Sequence, residues 1–421
     1  MYTRVAVVAR QLIIRGMRLP VIVLASLAFL TACARNDADT AWLGEVVEIP
    51  NPAAAGSLYP HLATNTNGTV VMSWLQPVGD GHELRHATLR GSAWSTARTV
   101  AAGSDWFVNW ADFPSVVPLT DGLWAAHWLQ QKPDNVYSYD VRIAVSTDGG
   151  EHWSPAISPH DDGTPTEHGF VSLFDAAGSA GAVWLDGRNT AGGHDHSGGS
   201  HGAMTLRSAV IGRDGQRVDD GREIDGRVCD CCQTDVAAGP DGPIVVYRDR
   251  SEREVRDIAL VRLTPGGWSE PIVVNEDAWA IDACPVNGPA VDADGNTVVV
   301  AWFTAPDRPR IRLAFSPDAG RSFSKPIEVA SGKVAGRVDV VLLEDGRAVV
   351  SWLGDDADGT ALRAQPYSRE GATAPAVVIA RSSASRASGF PRMLAVQDGL
   401  LFAWTRAGDS PRVVTAFAPL R

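Results

Sequence analysis

The sequence predicts an all-β fold, a seven-bladed β-propeller, with six blades as the alternative count. Three observations point to it. Apolar runs ending in an aromatic residue recur at near-constant spacing. Gly-containing turns precede them. The same order of strand patterns surrounds each run. A fixed period of about 50 residues means an array of similar supersecondary units that bury their faces against one another.

The runs are "TVVMSW" (ending at Trp74), "GLWAAHW" (Trp128), "SAGAVW" (Trp184), "PIVVY" (Tyr247), "TVVVAW" (Trp302), "RAVVSW" (Trp352) and "LLFAW" (Trp404), spaced 54, 56, 63, 55, 50 and 52 residues apart. Each follows a first strand and a turn, as in "YPHLATNTNG", "FPSVVPLTDG" and "RVDVVLLEDG". Asp-Gly and Asn-Gly between apolar runs favour hairpin turns. A third strand comes next ("ELRHATL", "DVRIAVS", "RIRLAFS"), and a fourth closes the unit ("ARTVAA", "PAISP", "KPIEVA"). Four antiparallel strands repeated radially make a propeller. The seventh unit reaches Arg421 without a fourth strand, and the N-terminal "LGEVVEI" (Leu43–Ile49) has that strand's pattern. It is expected to close the ring as the outer strand of the last blade, leaving no long open sheet edge.

Two turns between third and fourth strands share the pattern Ser-x-Asp-x-Gly-x-x-aromatic. They are Ser146, Asp148, Gly150 and Trp153, and Ser316, Asp318, Gly320 and Phe323. The carboxylate suits the backbone N–H groups of the turn, the glycine permits positive φ, and the ring packs beneath. These turns resemble the Asp boxes of the sialidase (BNR-repeat) superfamily, and the resemblance covers nearly the whole of residues 42–421. It implies the propeller fold. In that family the boxes are structural and lie away from the active site, so the resemblance by itself assigns no activity. Sialidases share three arginines, an Asp acid/base and a Tyr–Glu nucleophile pair, the first arginine usually within Arg-Ile-Pro. Here Tyr59-Pro60-His61 occupies the comparable region, and no catalytic residue is carried over. Arg188, Arg248 and Arg250 follow aromatic-ended strands. They are either ligands for an acidic group or partners of the local Asp186 and Asp249. Tyr247 occupies the packing position of its run.

The N-terminal segment sets the compartment. "MRLPVIVLASLAFLTAC" (Met17–Cys33) has a basic start, an apolar run from Leu19 to Leu30, and small residues before Cys33. This is a signal peptide, left out of the fold. Its end resembles a bacterial lipobox, which implies that Cys33 is lipidated and begins the mature chain. Ala34 after it resembles the pattern sorted to the outer membrane. The expected organisation is therefore a signal segment to residue 33, a polar tether over 34–41 and a propeller over 42–421. The membrane is reached only through the lipid. A formal net charge of −12 argues against nucleic acid and anionic membrane surfaces as partners. The protein is expected to be a monomer.

"GRVCDCCQTD" holds Cys229, Cys231 and Cys232, and "DACPVNGP" holds Cys284. Both stretches are expected to open first strands, those of units four and five. That brings four cysteines to one mouth of the axial channel, with Cys229 and Cys231 on one strand face and Cys232 on the other. Three readings stand: disulfides, with Cys284 bridged to one of the three; a thiolate metal site, for copper(I) or, as the tetrahedral alternative, zinc; and inert buried thiols. "GGHDHSGGSHGAM" (Gly192–Met204), an insertion in unit three, adds His194, His196, His201 and Met204 on a Gly/Ser-rich loop. Imidazole with thioether suits copper. Aromatic and acidic groups that precede first strands, Trp106, Trp110, Asp112 and Asp282 among them, are expected near the same mouth, as glycan ligands or as loop packing.

The leading expectation is an envelope-anchored, sialidase-like propeller with a cysteine-rich, copper-binding or redox-active site. The alternatives are an exo-sialidase or other glycoside hydrolase with structural disulfides, and a non-enzymatic interaction scaffold. The ligand is a metal ion or a glycan.

Overall fold

The computed structural model describes residues 41–120, 122–133, 136–190, 202–219 and 221–421. The expected signal segment with Cys33, the expected tether to residue 40, and His194, His196 and His201 lie outside them.

Seven antiparallel sheets form the blades of a β-propeller. Their inner strands are Leu58–Thr64, Ser115–Pro118, His168–Asp175, Asp235–Ala238, Ala290–Asp294, Val334–Leu342 and Arg392–Val396. Each runs through a tight turn into a second strand carrying the repeat's aromatic residue. Trp74, Trp184, Tyr247, Trp302 and Trp404 are fully buried there, and Trp128 and Trp352 nearly so. Blade seven closes as expected: Val47–Ile49 pairs antiparallel with Arg412–Pro419, in the register Val47 to Phe417 and Ile49 to Thr415.

Blade two departs from the expected pattern. Its fourth strand, "PAISP", is reduced to a single bridge between Ile143 and Ile157. Pro155 and Pro159 flank that position, and a proline has no N–H to give a ladder.

The core lies between blades rather than within them. Seven apolar clusters among the described residues each join two neighbouring blades. One sets Trp74 and Met72 of blade one against Leu401 and Val413 of blade seven, so the first and last units share an interface like any other pair. The two Ser-x-Asp-x-Gly turns are braced by their own side chains. Ser146 Oγ donates to Asp148 Oδ1 (2.8 Å) and accepts from Gly150 N (2.9 Å), and Asp148 Oδ1 also accepts from His152 N (2.9 Å). Ser316, Asp318, Gly320 and Ser322 repeat the arrangement. Gly150 and Gly320 have φ of +82° and +78°, where a β-carbon would be strained.

Polar side chains stitch the inner strands together. Asp235 Oδ2 accepts from Val291 N (2.9 Å), Asp292 Oδ2 from Leu342 N (2.7 Å) and Asp339 Oδ2 from Met393 N (2.7 Å), linking blades four to seven in turn. These strands line a cavity of about 390 Å³ on the axis, with His61, His127 and Arg392 also in its wall. Three inner strands open with a bulge that places Tyr59, Phe170 and Arg337 at φ of 53°, 54° and 52°. Left-handed backbone at a non-glycine residue costs roughly 1–3 kcal/mol and is held by its surroundings.

Two outcomes follow from this architecture. A chain ending at residue 400 lacks the strand Arg412–Pro419 and exposes the faces of blades one and six. It should fail to give soluble, cooperatively melting protein; a cooperative melt would show that the ring does not depend on this closure. The second concerns pH. Burial pushes Asp339 up to about 7, with Asp235 adding to the rise and Arg392 opposing it, and burial pushes Asp292 up to about 6. An unfolded aspartate titrates near ~3.9. The fold therefore favours protonated Asp339, and this stabilisation is full below about pH 4 and lost as pH rises through about 7. Melting temperatures between pH 4 and 8 should fall less steeply for Asp339→Asn than for the native chain, and equal slopes would refute the assignment.

Candidate metal centre at the channel mouth

The outer strand of blade three, Arg222–Val228, hands the chain to blade four through a turn rather than a strand. Cys229, Cys231 and Cys232 all lie in this turn, ahead of the inner strand Asp235–Ala238. Cys284 likewise sits in the connection before Ala290–Asp294. The expected strand alternation therefore does not apply. In the turn, Cys229 and Cys232 face one another with sulfurs 3.5 Å apart, whereas alternation would have put them on opposite faces. The ladder ends early because Cys229 N turns to Arg248 O (3.0 Å), one strand into blade four, leaving residues 230–234 unpaired with blade three.

The three sulfurs of Cys229, Cys231 and Cys232 lie within 4.8 Å of one another. Cys284 adjoins the group from the next blade, close enough to Cys231 for the two thiols to act on each other. Cys229 and Cys232 are buried, and Cys231 and Cys284 are half-buried. Gln233, next in the chain, lines the axial cavity and accepts from Gly288 N (2.9 Å), so the two cysteine loops are tied together beside the channel.

Arginines set the electrostatics. Arg256 Nη1 points at Cys229 Sγ (3.3 Å), and its Nη2 bonds Glu254 (2.8 Å). Arg248 is 1% exposed, and its guanidinium donates to Asn287 O (2.8 Å), Arg256 O (2.7 Å) and Phe303 O (2.7 Å), with its plane over Trp279. These are neutral acceptors, and a buried guanidinium stays charged. Its charge acts on Cys232. Burial pushes the Cys232 thiol up, but hydrogen bonds with Cys229 and Cys231, the Arg248 charge and the Asn287 backbone carry it well below the usual thiol range. Burial pushes Cys229 up to about 11. Hydrogen bonds to its three neighbours hold Cys231 above its usual value, and the bond from Cys231 lowers Cys284. The centre is thus a network of two acidic and two basic thiols beside two guanidinium groups, an environment that favours thiolate.

The other expected ligands lie elsewhere. Met204 opens the strand Met204–Ile211, pairs with Val228 and is buried in the core between blades three and four, not on a loop. Its register opposite Val228 turns the thioether inward. Arg188 makes a two-pronged pair with Asp186 (2.7 and 2.8 Å) and reaches Asp162 (3.2 Å). Arg250 is taken up by Asp230 (2.9 Å) and Glu254 (2.8 Å) rather than by Asp249. Trp106 stacks on Trp128, and Trp110 on Phe390 beneath the Arg337 guanidinium. Asp112 accepts from Phe170 N (2.7 Å) and Tyr139 Oη (3.2 Å), and burial pushes it up to about 7. Asp282 is exposed, two residues before Cys284.

The sequence reading missed Arg256 and a second cluster. In "SEREVRD" nothing distinguishes Arg256 from its charged neighbours. The second cluster stacks His160 on His168 (centroids 3.8 Å apart, 7° between planes), with Asp162 Oδ2 bridging both at 3.3 and 3.1 Å. His-Asp-Asp and Glu-His eight residues apart in "HDDGTPTEH" were the available signal. Asp162 also meets Arg188 (3.2 Å), and the ligand atoms of Asp140, His160 and His168, and of Asp162, His168 and Asp186, lie within 4.8 Å of one another, so this cluster is a hydrogen-bonded network around Asp162 whose spacing also fits a metal ion.

No protein-family model matches the chain. No curated protein matches it. Among solved structures, a protein of unknown function from Dyadobacter fermentans is 16% identical, over 90% of this chain and 98% of that one, with a TM-score of 0.49. The endosialidase of phage phi92 is 10% identical, over 90% of this chain and 69% of that one, with a TM-score of 0.48. A variant of NanB sialidase from Streptococcus pneumoniae is 8% identical, over 89% of this chain and 94% of that one, with a TM-score of 0.45.

The thiol network predicts an order of reactivity. On the folded chain at pH 7, iodoacetamide should modify Cys284 first, because it is half-exposed and its thiol is lowered. Cys229, buried and raised, should be modified last. Peptide mapping over time reads the order, and early labelling of Cys229 would contradict the arrangement.

Proposed function

We propose that this chain is an envelope-anchored propeller lipoprotein that binds copper(I) at the cysteine centre and serves in metal handling. The observation that carries the reading is the gathering of the Cys229, Cys231 and Cys232 sulfurs within 4.8 Å, with the half-buried Cys284 adjoining Cys231. Sulfurs held at ~2.3 Å from one ion lie ~3.8–4.0 Å apart, and the 3.5 Å between Cys229 and Cys232 is close to that spacing. Soft thiolate donors favour copper(I), and zinc is the tetrahedral alternative.

The chain's own groups would do the binding. Cys232 and Cys284 offer lowered thiols, while Cys229 and Cys231 must each give up a proton when they ligate. Arg256 and Arg248 offset the thiolate charge. Burial of Cys229 and Cys232 keeps water and oxidants from the inner half of the site. A bound copper(I) ion supplies exchange with other soft donors. The Met17–Cys33 segment and Ala34 support attachment to the outer membrane through lipidated Cys33.

The test is metal analysis of protein purified without oxygen, with competition against a copper(I) chelator. The native chain should hold about one equivalent of copper(I), in keeping with one thiolate cluster. The double variant Cys229→Ser/Cys232→Ser should lose it while melting cooperatively. Preferential retention of zinc would select the alternative ion. Metal-free protein with all four cysteines oxidised would sink the proposal.

A further inference from the structure

We propose that Cys231 and Cys284 are an exchangeable dithiol that reacts with external disulfides, and that its closure withdraws two sulfurs from the metal site. The second half of this statement rests on the copper reading; the first does not.

The division of the four cysteines carries the argument. Cys229 and Cys232 are 0% and 1% exposed, so no disulfide in solution reaches them without opening the turn. Cys231 and Cys284 are only half-buried, so both keep contact with solvent. Thiol–disulfide exchange needs an attacking sulfur that can meet the target disulfide, and a second thiol near enough to resolve the product. Cys284 and Cys231 lie on the two loops that Gly288 N and Gln233 Oε1 tie together (2.9 Å), close enough for their thiols to act on each other.

Both lie in connections rather than strands, so their sulfurs can draw together without breaking a ladder. The loops around them are fixed by other bonds. Gly288 N donates to Gln233 Oε1 (2.9 Å), and Arg248 donates to Asn287 O (2.8 Å). A β-carbon on Gly288 would stand 2.2 Å from the Gln233 carbonyl oxygen, which shows how closely the two backbones pass. The pair is therefore held in place whether its sulfurs are joined or not.

The chemistry balances as follows. The Cys284 thiolate attacks one sulfur of a disulfide RSSR, forming a mixed disulfide and releasing RS⁻, which takes a proton from water. Cys231 loses its proton and attacks Cys284 Sγ. The Cys231–Cys284 bond forms and the second RS⁻ leaves to be protonated. RSSR is reduced by two electrons to two RSH, and the dithiol is oxidised to one disulfide. A reducing dithiol reverses the sequence.

The experiment incubates the reduced full-length chain with oxidised glutathione, quenches with acid, and maps disulfides by mass spectrometry. The expected product is a Cys231–Cys284 link, with Cys229 and Cys232 still recoverable as thiols, and dithiothreitol should reverse it. The variant Cys231→Ser should stall with glutathione on Cys284, and Cys284→Ser should lose the reaction. A Cys229–Cys232 link as the first product, or no link, overturns the proposal. Mapping the native chain keeps the result readable if either variant folds poorly. Copper(I) titration of the linked form reads the second half: loss of the equivalent bound by the reduced form is expected, and unchanged binding overturns the gating. If the reduced form binds no copper(I), the metal reading fails while the exchange reaction stands or falls by its own product.

Discussion

The packing of each blade against both neighbours is the constraint on which the rest of this molecule depends. A four-stranded sheet with two apolar faces cannot be stable alone, and here every face is covered by the next blade. The arrangement has no natural end until the last blade meets the first. The pairing of Val47–Ile49 with Arg412–Pro419, and the cluster that joins Trp74 to Leu401 and Val413, supply that closure. Chain ends far apart in sequence thus share one sheet.

Closure also creates the channel. Seven inner strands converge on the axis around the cavity, and the carboxyl groups they carry there are buried. Aspartates at this position bond to backbone N–H groups of the next blade, and burial raises them toward protonation. The fold gains blade-to-blade registration and accepts a cost in desolvated carboxyl groups. Bulged strand starts and aromatic loops lie at one mouth, and connections between blades gather there because every unit begins its inner strand on that side.

The cysteine centre uses that gathering. Connections before blades four and five are adjacent, so residues more than fifty positions apart become neighbours. Arg248 is the less obvious component. A guanidinium buried among carbonyl oxygens is unfavourable unless a negative charge lies near, and the sulfur of Cys232 is a group able to carry one. Burial and charge together divide four chemically identical side chains into inner and outer, acidic and basic. That division is the basis of both roles proposed for the cluster, ligand binding and thiol exchange.

Repeat period, turn chemistry and the missing strand of the seventh unit were legible because they are local: alternating apolar residues and Asp-Gly turns dictate hairpins wherever they occur. The convergence of Cys229, Cys231, Cys232 and Cys284 was also legible, since the repeat assigns them equivalent places. Their conformation was not. Whether the chain at Cys229 continues a strand or turns depends on the hydrogen bond from its N–H to Arg248 O, a partner in another strand. The same holds for Met204, which composition placed on a metal-binding loop and which register opposite Val228 turns into the core. Arg256 carries no local signature at all, and "HDDGTPTEH" shows the acids and histidines of the second cluster but not that His160 and His168 stack. The sequence by itself determined how many blades there are and which segments meet at the mouth, because hydrophobic period and turn residues act within a few positions. Only the tertiary structure decided which sulfurs face one another and which charges surround them, because those depend on distances between strands that no spacing along the chain records.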